Sequence, residues 1–240
     1  MKNVGDSGLR NDEFNESFTR DKIIQSCVKN KKPVIFDIGA HHGQSIKYLE
    51  GIFESPLIYS FEPDPDSFKI LSNNISENNK IFNFAFSNIS GESSFYQNKI
   101  SHTNGLYKVN VDSSDSIRAQ QQNLDFSKEV NSKIEVETRT LDSFFKDYKI
   151  ERVDLMKIDT QGAEELVLEG GKSSLSKINA IILEVSLFDY YDHKTSFSDI
   201  EKYLLPIGFE LFSILEISNN PMNGRTDWVE VLYKKVSWKY

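Results

Sequence analysis

The sequence predicts an α/β protein: a doubly wound, mostly parallel sheet with helices on both faces. Three observations predict it. Short apolar runs alternate with helix-compatible stretches along most of the chain, the pattern of repeated strand–helix units. The run Val34 to Ile38 leads into two glycines four apart, Gly39 and Gly43, and then into Gln44 to Glu50. Strand, glycine turn and helix in that order open a nucleotide-binding βαβ unit. Polar residues close strand after strand, at Asp37, Glu62, Asn83, Asp159 and Glu184. Ligands of open α/β sheets bind outside the carboxyl ends of the strands, so these five point to one site.

The elements follow in order. Residues 1–16 are polar and read as a poorly ordered arm; Phe18, Ile23, Ile24, Cys27 and Val28 are spaced for an amphipathic helix from Ser17 to Lys29. Residues 1–30 thus precede a main domain of residues 31–236, entered through Lys31-Lys32-Pro33. Strand one is Val34 to Ile38, and the helix after it carries Ile46, Leu49 and Ile52 on one face. Strand two, Leu57 to Phe61, ends in Glu62-Pro63-Asp64-Pro65, and a helix runs from Asp66 to Ser76. Strand three is Lys80 to Ser87, followed by a turn and a short strand, Glu92 to Tyr96. Apolar periodicity is then lost from Gln97 to Ser132; a loop this long inside a domain reads as a substrate-side lid.

Ile134 to Thr138 resumes the sheet, and a helix runs from Thr140 to about Tyr148. Strand four, Val153 to Asp159, passes through Thr160-Gln161-Gly162 into a helix from Ala163 to Glu169, with Gly170-Gly171 as its C-cap. Strand five, Ile178 to Val185, is apolar almost throughout and so central. A helix from Ser198 to Leu205 and an antiparallel pair, Phe209 to Leu215 with Trp228 to Tyr233, close the chain.

Composition narrows the partners. The 240 residues fit one α/β domain, and 38% hydrophobic content with 17 Phe suffices for its core. A net charge of −8 with no long basic run argues against a nucleic-acid partner, which needs a Lys/Arg stripe. One cysteine, Cys27, fits a reducing cytoplasm. The N-terminus carries no signal peptide, and no apolar run approaches the roughly 18 residues of a membrane span. A cytoplasmic protein, with a homodimer as one possible assembly, is the expectation.

The turn Asp37-x-Gly39-x-x-x-Gly43 has one glycine fewer than the dinucleotide pattern G-x-G-x-x-G, with an acid in front. That suits a ligand with no pyrophosphate to cradle, such as S-adenosylmethionine, and speaks against an NAD-dependent dehydrogenase. The amino-acid end of the ligand would lie over Gly39, Ala40, His41 and Gly43, with Gln44 and Ser45 opening the helix. Asp37 would meet its ammonium group directly or through water. Glu62, beside Pro63, would accept hydrogen bonds from the ribose, and Asn83 and Ala85 would flank the adenine. Asp159, followed by Gly162 and Glu164, would lie under the methyl-bearing sulfur. There it can hold the acceptor hydroxyl, take its proton or bind a divalent metal; an N-cap acid is also physically sound, and both can hold at once.

Asp37-Ile-Gly-Ala-His-His-Gly-Gln44, Phe61-Glu-Pro-Asp-Pro65, Thr140-Leu-Asp142, Lys157-Ile-Asp-Thr-Gln-Gly-Ala-Glu164 and Ile182-Leu-Glu-Val185 resemble the successive motifs of the FkbM family of S-adenosylmethionine-dependent methyltransferases. The resemblance runs from about Lys32 to Lys234. It implies the Rossmann-like class I methyltransferase fold: a seven-stranded sheet in the order 3-2-1-4-5-7-6 with an antiparallel last strand. It also implies O-methylation of a sugar or polyketide-type hydroxyl. Two positions depart from the family: His42 stands where Asn is commoner, and Gln161 where Glu is commoner. Gln161 removes a negative charge near the transfer site, so no metal is assigned. The arm and residues 97–132 lie outside the matching motifs and leave the acceptor unspecified.

Methyl transfer to oxygen is an in-line displacement at a sulfonium carbon. The enzyme must align the acceptor, exclude water and remove a proton. The candidates for base or orienting group are Asp159, Glu164, Glu184, His102 and His193, with Asp159 first because the fold fixes its place. The histidines qualify because imidazole titrates near neutrality. Tyr190, Tyr191 and Trp228 are candidates to stack on a sugar ring, or else core aromatics. A sugar, glycan or related small-molecule acceptor is expected. A protein side-chain acceptor and a non-catalytic interaction protein stay as alternatives.

Overall fold

The computed structural model describes residues 7–113, 117, 132–221 and 223–236. Two helices lead in, α1 (Ser7–Ser17) and α2 (Arg20–Cys27). The stretch expected to be a loose arm is helical from Ser7 and exposed along its length from Gly8; residues 1–6 lie outside the described ones. Thr19 caps α2 by accepting the Lys22 N–H, and Ile23, Ile24 and Cys27 are buried on the sheet. Arg20 ties the start of α2 to Glu230 through an ion pair of 2.6 Å.

The main sheet holds β1 (Val34–Ile38), β2 (Leu57–Phe61), β3 (Lys80–Phe82), β7 (Val153–Ile158), β8 (Ile178–Ser186), β9 (Phe209–Asn219) and β10 (Thr226–Lys235). Their order is β3-β2-β1-β7-β8-β10-β9. Pairing is parallel from β3 to β8, and β10 runs antiparallel to both of its neighbours. This is the expected 3-2-1-4-5-7-6 arrangement. β7 and β8 are buried almost throughout, which is why they read as near-continuous apolar runs.

Side chains alternate across the sheet and build a core on each face. Phe36, Phe61, Met156 and Leu183 pack under α5 (Leu141–Asp147), α6 (Glu164–Glu169) and α7 (Phe197–Leu204). Aromatic rings dominate this side: Phe61 lies 4.6 Å from Phe86 and 5.0 Å, edge-on, from Phe144. Ile35, Ile58, Leu155 and Ile182 face the other way, under α2, α3 (Gln44–Ile52) and α4 (Pro65–Ser72).

Two readings of the strands and helices are corrected. The strand expected over Lys80 to Ser87 divides at Asn83. Its first part stays in the main sheet as β3, while β4 (Ala85–Phe86) joins a second sheet, β4-β6-β5, with β5 (Gly91–Gln97) and β6 (Ser132–Arg139). Asn83 Nδ2 turns back to donate to the carbonyls of Glu62 and Pro63 at 2.8 and 3.1 Å, a tie to the end of β2 at the point where the strand divides. The helix expected to reach Ser76 stops at Ser72, whose hydroxyl donates to the Phe68 carbonyl at 2.6 Å. Gly170 does cap α6, but in the right-handed region at φ −71. Close packing demands glycine there, since a Cβ would lie 2.2 Å from the Ser87 carbonyl oxygen. No helix among the described residues is long and apolar enough to cross a membrane.

Candidate active site

A cavity of about 310 Å³ opens at the carboxyl ends of β1, β2, β7 and β8. Its floor is the turn after β1. Gly39, at φ +86, sits against the end of β7 so closely that a Cβ would lie 1.9 Å from the Asp159 carbonyl oxygen. The Gly39 and Ala40 N–H groups both donate to the Phe61 carbonyl, at 2.9 and 3.0 Å, and Asp159 N–H donates to the Ile38 carbonyl at 2.9 Å. The turn is therefore wedged between its two neighbouring strands.

Glu62 closes β2 and points back at that turn. Its Oε2 accepts the His41 N–H at 2.7 Å and its Oε1 the Asp64 N–H at 2.8 Å. The carboxyl is 6% exposed, and burial pushes its pKa up to about 7. His41 and Gln161 both hold positive φ, 48 and 58, and both line the cavity. Such backbone costs about 1 kcal/mol or more per residue and gathers at functional sites.

The end of β7 supplies Asp159. Lys157 Nζ donates to its Oδ2 at 2.7 Å and Gln161 Nε2 to its Oδ1 at 2.6 Å, while the Tyr191 hydroxyl donates to Gln161 Oε1. Burial favours the neutral acid, but Lys157 outweighs it and holds Asp159 below the usual carboxylate range. Glu184, at the end of β8, pairs with Glu230 through the sheet, and its carboxyl makes no hydrogen bond among the described residues. Burial, with Asp159 and Glu164 nearby, pushes it up to about 8.

Most of the expected cofactor contacts meet here: Gly39, Ala40, His41, Gln44, Ser45, Glu62, Pro63, Ala85 and Asp159 all line the cavity. Among the catalytic candidates, Asp159, Glu184 and His102 line it as well. The others lie outside the lining. Asp37 is fully buried on the Ile35 face, opposite Lys157 across the β1–β7 pair, with neither oxygen bonded among the described residues. Burial pushes it up to about 6. Gly43, at φ +90, caps the start of α3, and Asn83 clamps the carbonyls at the end of β2. Glu164 Oε1 accepts from Thr160 N–H, Thr160 hydroxyl and Gly162 N–H at 3.0, 3.1 and 3.2 Å, so it shapes the turn beneath Asp159. His193 stands at the surface, 3.6 Å from Glu165 and stacked on Tyr107.

The described part of the segment expected to be a lid lines the cavity at Ser101, His102 and Asn104 to Leu106. Ser101 Oγ is 2.8 Å from His41 Nε2, and Gln97 and Asn104 both donate to the Asp64 carboxylate, at 2.6 and 3.3 Å. Further on, Asn110 N–H donates to the Tyr190 carbonyl at 2.7 Å and Asp192 N–H to the Lys108 carbonyl at 2.8 Å. Residues 114–116 and 118–131 of the expected lid lie outside the described residues. Sequence reading missed the role of Lys157, although its place two residues before Asp159 puts both side chains on one strand face. Phe84, Phe95 and Leu106 form the apolar wall, and no local pattern signals them because the second sheet brings them in.

Residues 37–211 match the model of the methyltransferase FkbM domain. The 2-O-methyltransferase NoeI of Sinorhizobium fredii is 32% identical over 173 residues, covering 70% of each chain. Among solved structures, the methyltransferase FkbM of Methylobacillus flagellatus superimposes with a TM-score of 0.52 at 16% identity, over 85% of this chain and 44% of that one. That likeness bears on the fold, whose strand order is the class I methyltransferase order. The chain belongs to the FkbM methyltransferase family.

Proposed function

We propose that the protein is an S-adenosylmethionine-dependent O-methyltransferase acting on a hydroxyl of a sugar, glycan or related small molecule. The observation that carries this reading is Glu62. It is a carboxylate fixed by two backbone N–H groups at the end of β2, on the same cavity as Asp159 and the Gly39 turn. Each of its oxygens keeps a free lone pair, enough for the two vicinal hydroxyls of a ribose. The Gly39, Ala40 and His41 turn lines the same cavity and suits an amino-acid end lying over it. Pro63, Phe84, Ala85 and Phe86 offer an apolar slot for a purine.

When bound, S-adenosylmethionine supplies a methyl group on a sulfonium that leaves as a neutral thioether. The chain's own residues do the rest. Asp159, ionised and gripped from both sides, accepts a hydrogen bond from the acceptor and sets its direction. Glu184, whose pKa of about 8 matches proton transfer near neutrality, takes the hydroxyl proton. The Ser101–Thr103 turn and the apolar wall exclude water. The 2-O-methyltransferase name of the relative supports oxygen as the acceptor atom.

The test is calorimetric titration with S-adenosylmethionine, followed by transfer of labelled methyl to a panel of glycosides. Binding with transfer to a glycoside hydroxyl is expected. Absence of binding, or transfer confined to protein side chains, overturns the reading.

A further inference from the structure

A second cavity of about 310 Å³ adjoins the first. The two share His102, Gln161 and Glu184 in their linings, so they form one cleft with a throat at those three side chains. Beyond the throat the wall is aromatic, with Phe188 and Tyr190 from the loop after β8 and Trp228 from β10. Trp228 is partly exposed and stands opposite Ser186 across the β8–β10 pair. Tyr191, by contrast, is 4% exposed and belongs to the support under Gln161.

The charges in this half of the cleft are acidic. Glu184 and Asp227 line it, and among the described residues no Lys or Arg does. Arg225 is close by but is engaged: it pairs with Asp227 at 2.8 Å and lies 4.3 Å over the Phe188 ring. That grip fixes the Asp227 carboxylate and cancels part of its charge without offering a cation to the cleft.

We propose that this second cavity is the acceptor subsite and that it takes an uncharged pyranose ring, stacked on Trp228, with the reacting hydroxyl at the His102–Gln161–Glu184 throat. It rests on the reading of the first cavity as the cofactor site. The apolar face of a pyranose matches an indole, while its hydroxyls find acceptors in Asp227 and Glu184. A phosphorylated or carboxylated sugar would bring an anion against the Asp227 carboxylate and the Glu184 carboxyl, with no Lys or Arg lining the cavity among the described residues, and is disfavoured. The throat places the hydroxyl between Glu184 and the cavity that Asp159 lines.

The chain has two tryptophans, Trp228 and Trp238, so a Trp238→Phe background makes Trp228 the sole reporter. That protein is first titrated with S-adenosylhomocysteine by calorimetry, then, saturated with it, with methyl hexopyranosides and their 6-phosphate and uronate counterparts. The emission of Trp228 is expected to respond to neutral members and not to the anionic ones. Trp228→Ala is expected to weaken the neutral glycosides about tenfold by saturation-transfer NMR, with Trp228→Phe restoring most of the loss. S-adenosylhomocysteine affinity should stay within about two-fold in each variant. Failure of S-adenosylhomocysteine to bind removes both readings. Its binding without any response to neutral glycosides, or with preference for the anionic ones, overturns the subsite alone.

Discussion

Lys157 and Asp159, two residues apart at the end of β7, are joined by an ion pair of 2.7 Å, and Gln161 grips the other carboxylate oxygen at 2.6 Å. A carboxylate held on both sides cannot swing, and one kept below its usual pKa is a weak proton trap. On the proposed mechanism Asp159 directs the acceptor hydroxyl, while Glu184, pushed up to about 8, receives its proton.

Asp159→Asn keeps the shape and removes the fixed charge. Turnover is expected to fall about 100-fold, with S-adenosylmethionine affinity within a few-fold. Single-turnover rates beside calorimetric binding check it, and an unchanged rate would remove Asp159 from the mechanism.

Glu184→Gln removes the proton acceptor. The rate of the chemical step should rise with pH as Glu184 ionises, with an apparent midpoint near 8 in the wild type. In Glu184→Gln the rate should drop about 100-fold and lose that limb. A variant that keeps the limb places the titrating group elsewhere.

Stability should be greatest on the acid side of neutrality. Asp37, Glu62, Glu164 and Glu184 all have folded-state pKa values raised by burial, to about 6, 7, 7 and 8. A raised pKa means that the native state binds protons more tightly, so its contribution is complete below the unfolded value and is lost as pH rises through the folded one. The melting temperature should then climb as pH falls from 8 toward 5, and drop again in stronger acid where Asp159 loses its charge. Glu164→Gln should flatten part of the slope. A melting temperature that rises from pH 5 to 8 contradicts this reading of the buried acids.

Gly39→Ala should damage the site more than any single charge change. Its Cβ would lie 1.9 Å from a backbone oxygen at φ +86, where no side chain can move aside to make room. A loss of about 3 kcal/mol or more is expected in denaturant unfolding, with cofactor binding abolished. Near-wild-type stability and binding would mean that the turn does not sit against β7 as described.

How legible was this in the sequence? The β1 turn was, because glycine spacing, strand and helix are local signals and the ladder contacts follow from them. Glu62 and Asp159 were, since each ends an apolar run. Asn83 was not: its bond to the Glu62 carbonyl exists only once β2 and β3 lie side by side, and it sits where the chain leaves the main sheet for the second one. Glu164 looked like a candidate catalyst because its neighbours are catalytic in type, yet three donors from its own turn occupy one of its oxygens. Asp37 illustrates parity: alternation puts it with Ile35 on the α3 face, behind the turn it helps to mark.

Whether Glu62 holds a ribose is decided by a thermodynamic cycle. S-adenosylhomocysteine and its 2′-deoxy analogue are titrated into wild type and Glu62→Ala by calorimetry. In the wild type, loss of the hydroxyl should weaken binding about tenfold, the worth of a hydrogen bond to a charged group. In Glu62→Ala both ligands should bind weakly and equally, giving a coupling of about 1.4 kcal/mol. Losses that simply add, with the deoxy analogue still tenfold weaker in Glu62→Ala, would contradict the assignment.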